Sequence, residues 1–207
     1  MRRKTALAMT AMMLVVGCSS SSTGPGDGNG YPDRESPQAA LAKLALAYEA
    51  EDVEAYLDCL SEGFVFFLNE DECIGNPGLP MSWDRDTEEQ IHETMFAEAA
   101  HVDSVHLSLS TFGSPVEIPG PQPGDPSGWQ FNENVELVVK VGGASPALYT
   151  TTVGARFELQ IDPEALAASG DTLWEIRQWE DLDPYVPLSG RESISWGSLK
   201  NIFRSED

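Results

Sequence analysis

Apolar positions along this 207-residue chain change period once, and the change separates a helical first part from a stranded second part. After Ser36-Pro37, where serine can cap a helix and proline suits its first turn, Leu41, Leu44, Ala45 and Tyr48 recur at helical spacing. A second, shorter helix is expected to carry Val53, Tyr56, Leu57 and Leu60, with Glu51-Asp52 placing negative charge where the helix dipole favours it. Gly63 is expected to end this helical pair. Residues 64–68, FVFFL, are a compact run of β-formers, and residues 69–85, with Gly75, Pro77, Gly78 and Pro80, read as a long loop. Asp86 or Thr87 should then cap a third helix with Ile91, Met95, Phe96 and Ala99 on its inward stripe.

From residue 105 the period is two. Val105, Leu107 and Leu109 alternate with His106, Ser108 and Ser110. After a Pro/Gly-rich loop over 113–128, Val135, Leu137, Val139 and Val141 do the same. Both stretches predict half-buried antiparallel strands. The longest alternation puts Tyr149, Thr151, Val153, Ala155, Phe157, Leu159 and Ile161 on one face, with Thr152, Arg156, Glu158 and Gln160 on the other. Asp162-Pro163 opens one helical turn that closes by Gly170, residues 172–182 form the last strand, and a short helix over 195–203 ends the list. There is no internal repeat.

The first seventeen residues change the picture of where the chain resides. Arg2, Arg3 and Lys4 precede about a dozen mostly apolar residues, the order of an export signal and too short to span a bilayer, which takes roughly twenty. Leu14-Val15-Val16-Gly17-Cys18 closely resembles the lipobox of bacterial lipoproteins. That resemblance implies a diacylglycerol on the Cys18 thiol, palmitate labelling, cleavage just before Cys18, and anchoring to the cell envelope. Ser19 gives no inner-membrane retention cue, so the outer membrane is implied for a double-membraned source. Residues 1–17 are then signal peptide, residues 18–35 a Ser/Gly/Pro-rich flexible tether, and residues 36–207 a single domain long enough to bury a core.

Loss of three basic residues and no acidic ones on cleavage takes the formal charge from −22 to −25. Such a surface repels nucleic acid and anionic head groups and argues against a nucleic-acid partner. Cys59 and Cys73 remain in an exported chain, where disulfides persist. A bridge is expected, closing a loop of about 15 residues and stabilising by roughly 3 kcal/mol on a chain-entropy account; the alternative is a pair of buried thiols.

Helix, helix, strand, helix and then long antiparallel strands is an α+β order, with helices on one face of a curved sheet. The order, together with ALAYEAEDVEAYLDCLSEGFVF and LWEIRQWED, resembles the nuclear transport factor two-like superfamily, which includes SnoaL-like polyketide cyclases and ketosteroid isomerases. The resemblance covers residues 36–183 and implies a cone: a curved antiparallel sheet with three N-terminal helices packed on its concave face. An ungapped placement on Ala50-Glu51-Asp52 puts the steroid isomerases' oxyanion-donating tyrosine at Leu44 and their aspartate base at Leu68. Neither leucine can move or donate a proton; a shifted placement would offer Tyr48 or Glu70 instead.

The remaining candidate chemistry is sparse. His92 lies at the edge of the third helix's inward stripe, a place for a general base in the cone or for a partly exposed surface residue. His101, Asp103 and His106 do not make a three-ligand metal set, and neither a Gly-x-Ser-x-Gly elbow nor a phosphate loop is present, so no metal or cofactor is expected. Trp83 and Trp129 lie in predicted loops and suit the rim of an apolar pocket, whereas Trp174 suits the core. With Tyr48, His92 and Phe157 they form the candidate ligand-binding set.

Val153, Phe157, Leu159, Ile91, Met95 and Phe96 together predict an interior with no proton to exchange. The sequence therefore points first to a non-enzymatic envelope lipoprotein binding a small apolar ligand or a protein partner. An isomerase or cyclase using the cone is the second reading. The third is an assembly protein that pairs as a homodimer through its sheet. A buried acid–base pair would favour the enzyme, an all-apolar cavity the binder.

Overall fold

A computed structural model describes residues 30–75, 78–97, 100–143, 146–182 and 196–204. The export signal, Cys18 and most of the tether lie outside the described residues. The helices are α1 (Pro37–Glu49), α2 (Val53–Leu57), α3 (Glu70–Gly75), α4 (Arg85–Phe96), α5 (Pro163–Ala168) and α6 (Trp196–Ile202). The strands are β1 (Leu60–Phe67), β2 (Ser82–Asp84), β3 (Val102–Thr111), β4 (Val116–Ile118), β5 (Gly128–Val141), β6 (Ala147–Ile161) and β7 (Trp174–Asp181).

Side-chain caps set most helix starts. Ser36 Oγ accepts from the Ala39 N–H at 3.1 Å with Pro37 in the first turn, and Asp52 and Asp162 cap α2 and α5 in the same way. The turn between α1 and α2 is made by Glu51, left-handed at φ 57°, so Glu51 is the connection and Asp52 the cap. The third predicted helix begins earlier than expected. Asp84, not Asp86 or Thr87, is its cap and accepts from both the N–H and the hydroxyl of Thr87, so α4 starts at Arg85. The reason lies in the presumed long loop, which contains α3 and then β2, whose last residue supplies the cap.

The seven strands form one sheet in the order β2-β1-β7-β6-β5-β3, with β4 beside β5 along its first residues. All pairings are antiparallel except β1 with β7, which is parallel, so the sheet is the curved, mainly antiparallel one expected. β1 begins at Leu60, so Gly63 lies within a strand rather than ending the helices. The β1–β7 register shifts between Leu60 and Val65, and Gly63 occupies that irregular stretch. β5 extends seven residues further back than its Val-rich alternation. It can begin at Gly128 because a Cβ there would sit 2.3 Å from the Leu159 carbonyl oxygen.

α1 packs against β3 and β7, and α4 against β1 and β2, on the sheet's inner face. Inward residues of the long strands, among them Val105, Leu107, Phe131, Val135, Val153, Phe157 and Ile176, make the core with Leu44, Ile91 and Met95. This is the α+β cone. Its register aligns one row of rings across five strands: Trp83 opposes Phe66, Phe66 opposes Trp179, Trp179 opposes Phe157, and Phe157 opposes Phe131. Phe66 and Trp83 stack at 4.4 Å between centroids, and Phe157 meets Trp179 at 4.5 Å.

The expected Cys59–Cys73 bridge is absent; both thiols are free. Cys59 precedes β1 and donates to the Ala55 carbonyl, whereas Cys73 follows β1 and donates to the Pro80 carbonyl. Eight residues of extended strand put the two at opposite ends of roughly 25 Å of chain. A disulfide needs Cα atoms within about 7 Å.

Candidate functional site

The inward face of α4 carries Glu88, Ile91, His92 and Met95, all fully buried and spaced i, i+3, i+4 and i+7. Glu88 and His92 are thereby carried under the aromatic row of the sheet. The interior is not the proton-free lining expected from the strands. Glu88, His92, Lys200, Tyr48 and Tyr56 are all 0% exposed, and Asp181 is 3% exposed.

The Glu88 carboxylate is the centre. Its Oε1 accepts from the Tyr56 hydroxyl at 2.5 Å and pairs with the Lys200 ammonium; its Oε2 accepts from the Trp83 indole at 2.5 Å. Lys200 arrives from α6, flanked by buried Leu199 and Phe203. Its Nζ lies 4.2 Å from the Phe66 ring centre, 4.7 Å from Trp179 and 5.7 Å from Trp83. These are cation–π distances to three members of the aromatic row.

Electrostatics follow from that packing. Burial alone would push the Glu88 carboxyl upward, but the Lys200 charge and the hydrogen bonds from Lys200 and Tyr56 outweigh it and hold the group below its ordinary range. Burial pulls Lys200 down, and Glu88 and Asp181 restore part of the loss. Burial, reinforced by Glu88, raises Tyr48 and Tyr56 well above the ordinary phenol range. Asp181 is pushed well up by burial, with Lys200 opposing.

His92 is pushed down to about 4, chiefly by burial. Its Nδ1 lies 2.7 Å from the Glu88 carbonyl oxygen, which can only accept, so Nδ1 carries the proton. Nε2 is then a bare acceptor, buried and without a hydrogen-bond partner among the described residues. Tyr56 stacks on the imidazole at 4.1 Å, and Tyr48 and Phe96 meet it edge-on.

Of the candidate set, Tyr48, Trp83, His92 and Phe157 are all interior. His92 sits inside the stripe rather than at its edge, because α2 and α1 cover that side of α4 with Tyr56 and Tyr48. Trp83 is a buried β2 residue bound to Glu88, not a pocket rim in a loop. Trp129 is half-buried at the start of β5 opposite Leu159 and Glu117, with no recorded contact to Glu88. Leu44 and Leu68 are buried apolar residues, and Tyr48, one turn beyond Leu44, faces Met95 Sδ at 3.9 Å. Among the described residues no three His, Cys, Asp or Glu side chains converge as a metal set; His106 pairs with Glu49 and Asp103 with Lys140.

Glu88, Asp181 and Lys200 escaped the sequence reading, and Tyr56 was read on the α2 stripe but not as a partner of Glu88. Glu88 had a usable signal, three residues before Ile91 on the same stripe. Lys200 had none, since SLKNIF reads equally well with lysine facing solvent.

Two surface depressions, of about 450 and 420 Å3, share Arg34 and Asp58. Arg34 and Lys43 in their walls are already paired: Arg34 with Asp58 and Asp162, and Lys43 with Asp58 at 2.8 Å.

Compared with known proteins, no family model and no curated protein matches the chain. Solved structures do. A conserved protein from Planctomyces limnophilus is 9% identical, with TM-score 0.48 over 72% of this chain and 94% of its own. A ketosteroid isomerase-like protein from Erwinia carotovora atroseptica is 12% identical, with TM-score 0.45 over 71% and 94%. The β subunit of benzoate 1,2-dioxygenase from Burkholderia mallei is 18% identical, with TM-score 0.44 over 70% and 85%. These likenesses concern chain path, and no activity passes from them to this chain. With two helices, a strand and a further long helix leading into a curved, mainly antiparallel run, the chain has a cone-shaped α+β fold, the architecture that the sequence resemblance implied.

Proposed function

We propose that this is a cell-envelope lipoprotein, held to a membrane by a lipid on Cys18, whose cone is a small-molecule binding site centred on Glu88. The buried Glu88 carboxylate, set with three donors beneath an aromatic row, carries this reading. A cone that had only to fold would do as well with apolar residues there, because a buried ion pair regains its desolvation cost poorly. The ligand therefore has a polar or charged head and an apolar body, rather than the wholly apolar character expected from the strands.

The protonation states of Glu88, His92, Tyr48 and Tyr56 favour binding over turnover. Efficient proton transfer uses groups poised near the working pH. Glu88 is held low, His92 is neutral with a value near 4, and Tyr48 and Tyr56 are held high. Three observations favour the isomerase or cyclase reading: the buried acid–base pair of Glu88 and His92, the bare Nε2 of His92 inside the cone, and the buried Asp181 carboxyl, pushed well above its ordinary range by burial.

A thermal-shift screen of the exported protein against small alcohols, acids, amines and polycyclic ketones tests both readings, because a ligand of the folded state raises the unfolding temperature by mass action. Ligands whose shift is lost in Glu88→Gln support the binding site. A screen without hits, or hits indifferent to that substitution, contradicts it. Consumption of a hit by the wild type but not by His92→Gln would establish the enzyme instead.

A further inference from the structure

We infer that the Glu88 site is an alkylammonium site, occupied in cis by Lys200, and that the ligand of the cone is a small primary amine in its charged form. The inference rests on the proposed binding function and names its ligand class.

What Lys200 presents to the cone is a four-carbon chain ending in an ammonium, and the protein meets each part of it with matching chemistry. The Glu88 carboxylate takes the charge; Phe66, Trp179 and Trp83 offer their negative faces at 4.2, 4.7 and 5.7 Å. Tyr56 and Trp83 each donate to one Glu88 oxygen, so the carboxylate is oriented before any cation arrives. In the same cluster His92 Nε2 is a second buried acceptor with no partner among the described residues. The Asp181 carboxyl, buried in the same interior, also draws the Lys200 ammonium, so the site favours a cation through more than Glu88 alone.

The occupant in cis is weakly held by its own element. α6 has seven residues, too few to stay helical alone, and its order depends on docking Leu199, Lys200 and Phe203. A free amine entering the site replaces the charge of Lys200 and leaves Leu199 and Phe203 as the buried apolar anchors among the described residues there. The acidic surface, with formal charge −22, raises the local concentration of such cations and repels anions.

The test uses the exported protein, with n-butylammonium and its neutral analogue n-butanol as probes. By calorimetry, Lys200→Ala should bind n-butylammonium roughly tenfold or more tighter than n-butanol, the margin expected of a charged hydrogen bond in a buried site. The wild type should bind it more weakly than Lys200→Ala, and n-butylammonium should speed amide exchange across residues 196–202 of the wild type whereas n-butanol should not. Equal affinity for the two probes leaves the cone a ligand site but overturns its preference for a cation. Failure of both probes to bind overturns the site as well. Should Lys200→Ala not fold, wild-type exchange decides alone: unchanged exchange over 196–202 at saturating n-butylammonium overturns the competition.

Discussion

At the scale of single residues, His92 shows how far environment moves a side chain from its expected role. A histidine beside an apolar stripe ordinarily titrates in water, yet here two tyrosines and a phenylalanine enclose it and its value falls from 6.5 to about 4. A base whose folded value is depressed contributes stability that is complete above the unfolded value and is lost as pH falls toward the folded one. Between pH 6.5 and about 4 the unfolded chain takes up a proton that the native state refuses, so acidification should remove about 3 kcal/mol through this residue. Urea unfolding of the wild type and of His92→Phe at several pH values checks this. The wild type should lose that much more stability than the variant from pH 7 to 4, and parallel pH profiles would show that His92 is not buried in neutral form.

At the scale of elements, legibility depended on whether a signal was local. The period-two runs gave β3, β6 and β7 nearly as built, Ser36-Pro37 marked the start of α1, and α6 was placed within a residue or so. Short elements inside the presumed loops, α3, β2 and β4, carry no period because three to six residues are too few to show one. Glu88 was readable in principle from its place on the α4 stripe. Tyr56 was read on the α2 stripe but not as a partner of Glu88, and Lys200 and Asp181 were not readable, since what buries them comes from distant parts of the chain. The cysteines failed for a related reason: sequence separation suggested a short closed loop, but the extended strand β1 lies between them. Mass spectrometry of oxidised, non-reduced protein should therefore find Cys59 and Cys73 unlinked. Cys73 should alkylate in the folded state and Cys59 only after denaturation, because burial pushes the Cys59 thiol up to about 12. A linked pair of peptides would contradict the placement of β1 between them.

At the scale of the whole molecule, two claims are joined: an address set by the first eighteen residues and a cone whose centre is charged. The address is testable alone. Cys18→Ala should accumulate as uncleaved precursor that takes up no palmitate, and a variant that is still labelled would remove the lipid anchor from the account. The cone is tested most directly by the coupling between Glu88 and Lys200, which lie 112 residues apart in sequence and meet only if α6 closes the interior. Urea unfolding of the wild type, Glu88→Gln, Lys200→Met and the double variant measures it. Either single change strands a buried partner, whereas the double change removes both charges, so the account predicts a coupling of about 2–3 kcal/mol with the double variant more stable than the sum of the singles implies. Additive losses, with no coupling beyond error, would show that Lys200 does not occupy the Glu88 site and would contradict the charged cone.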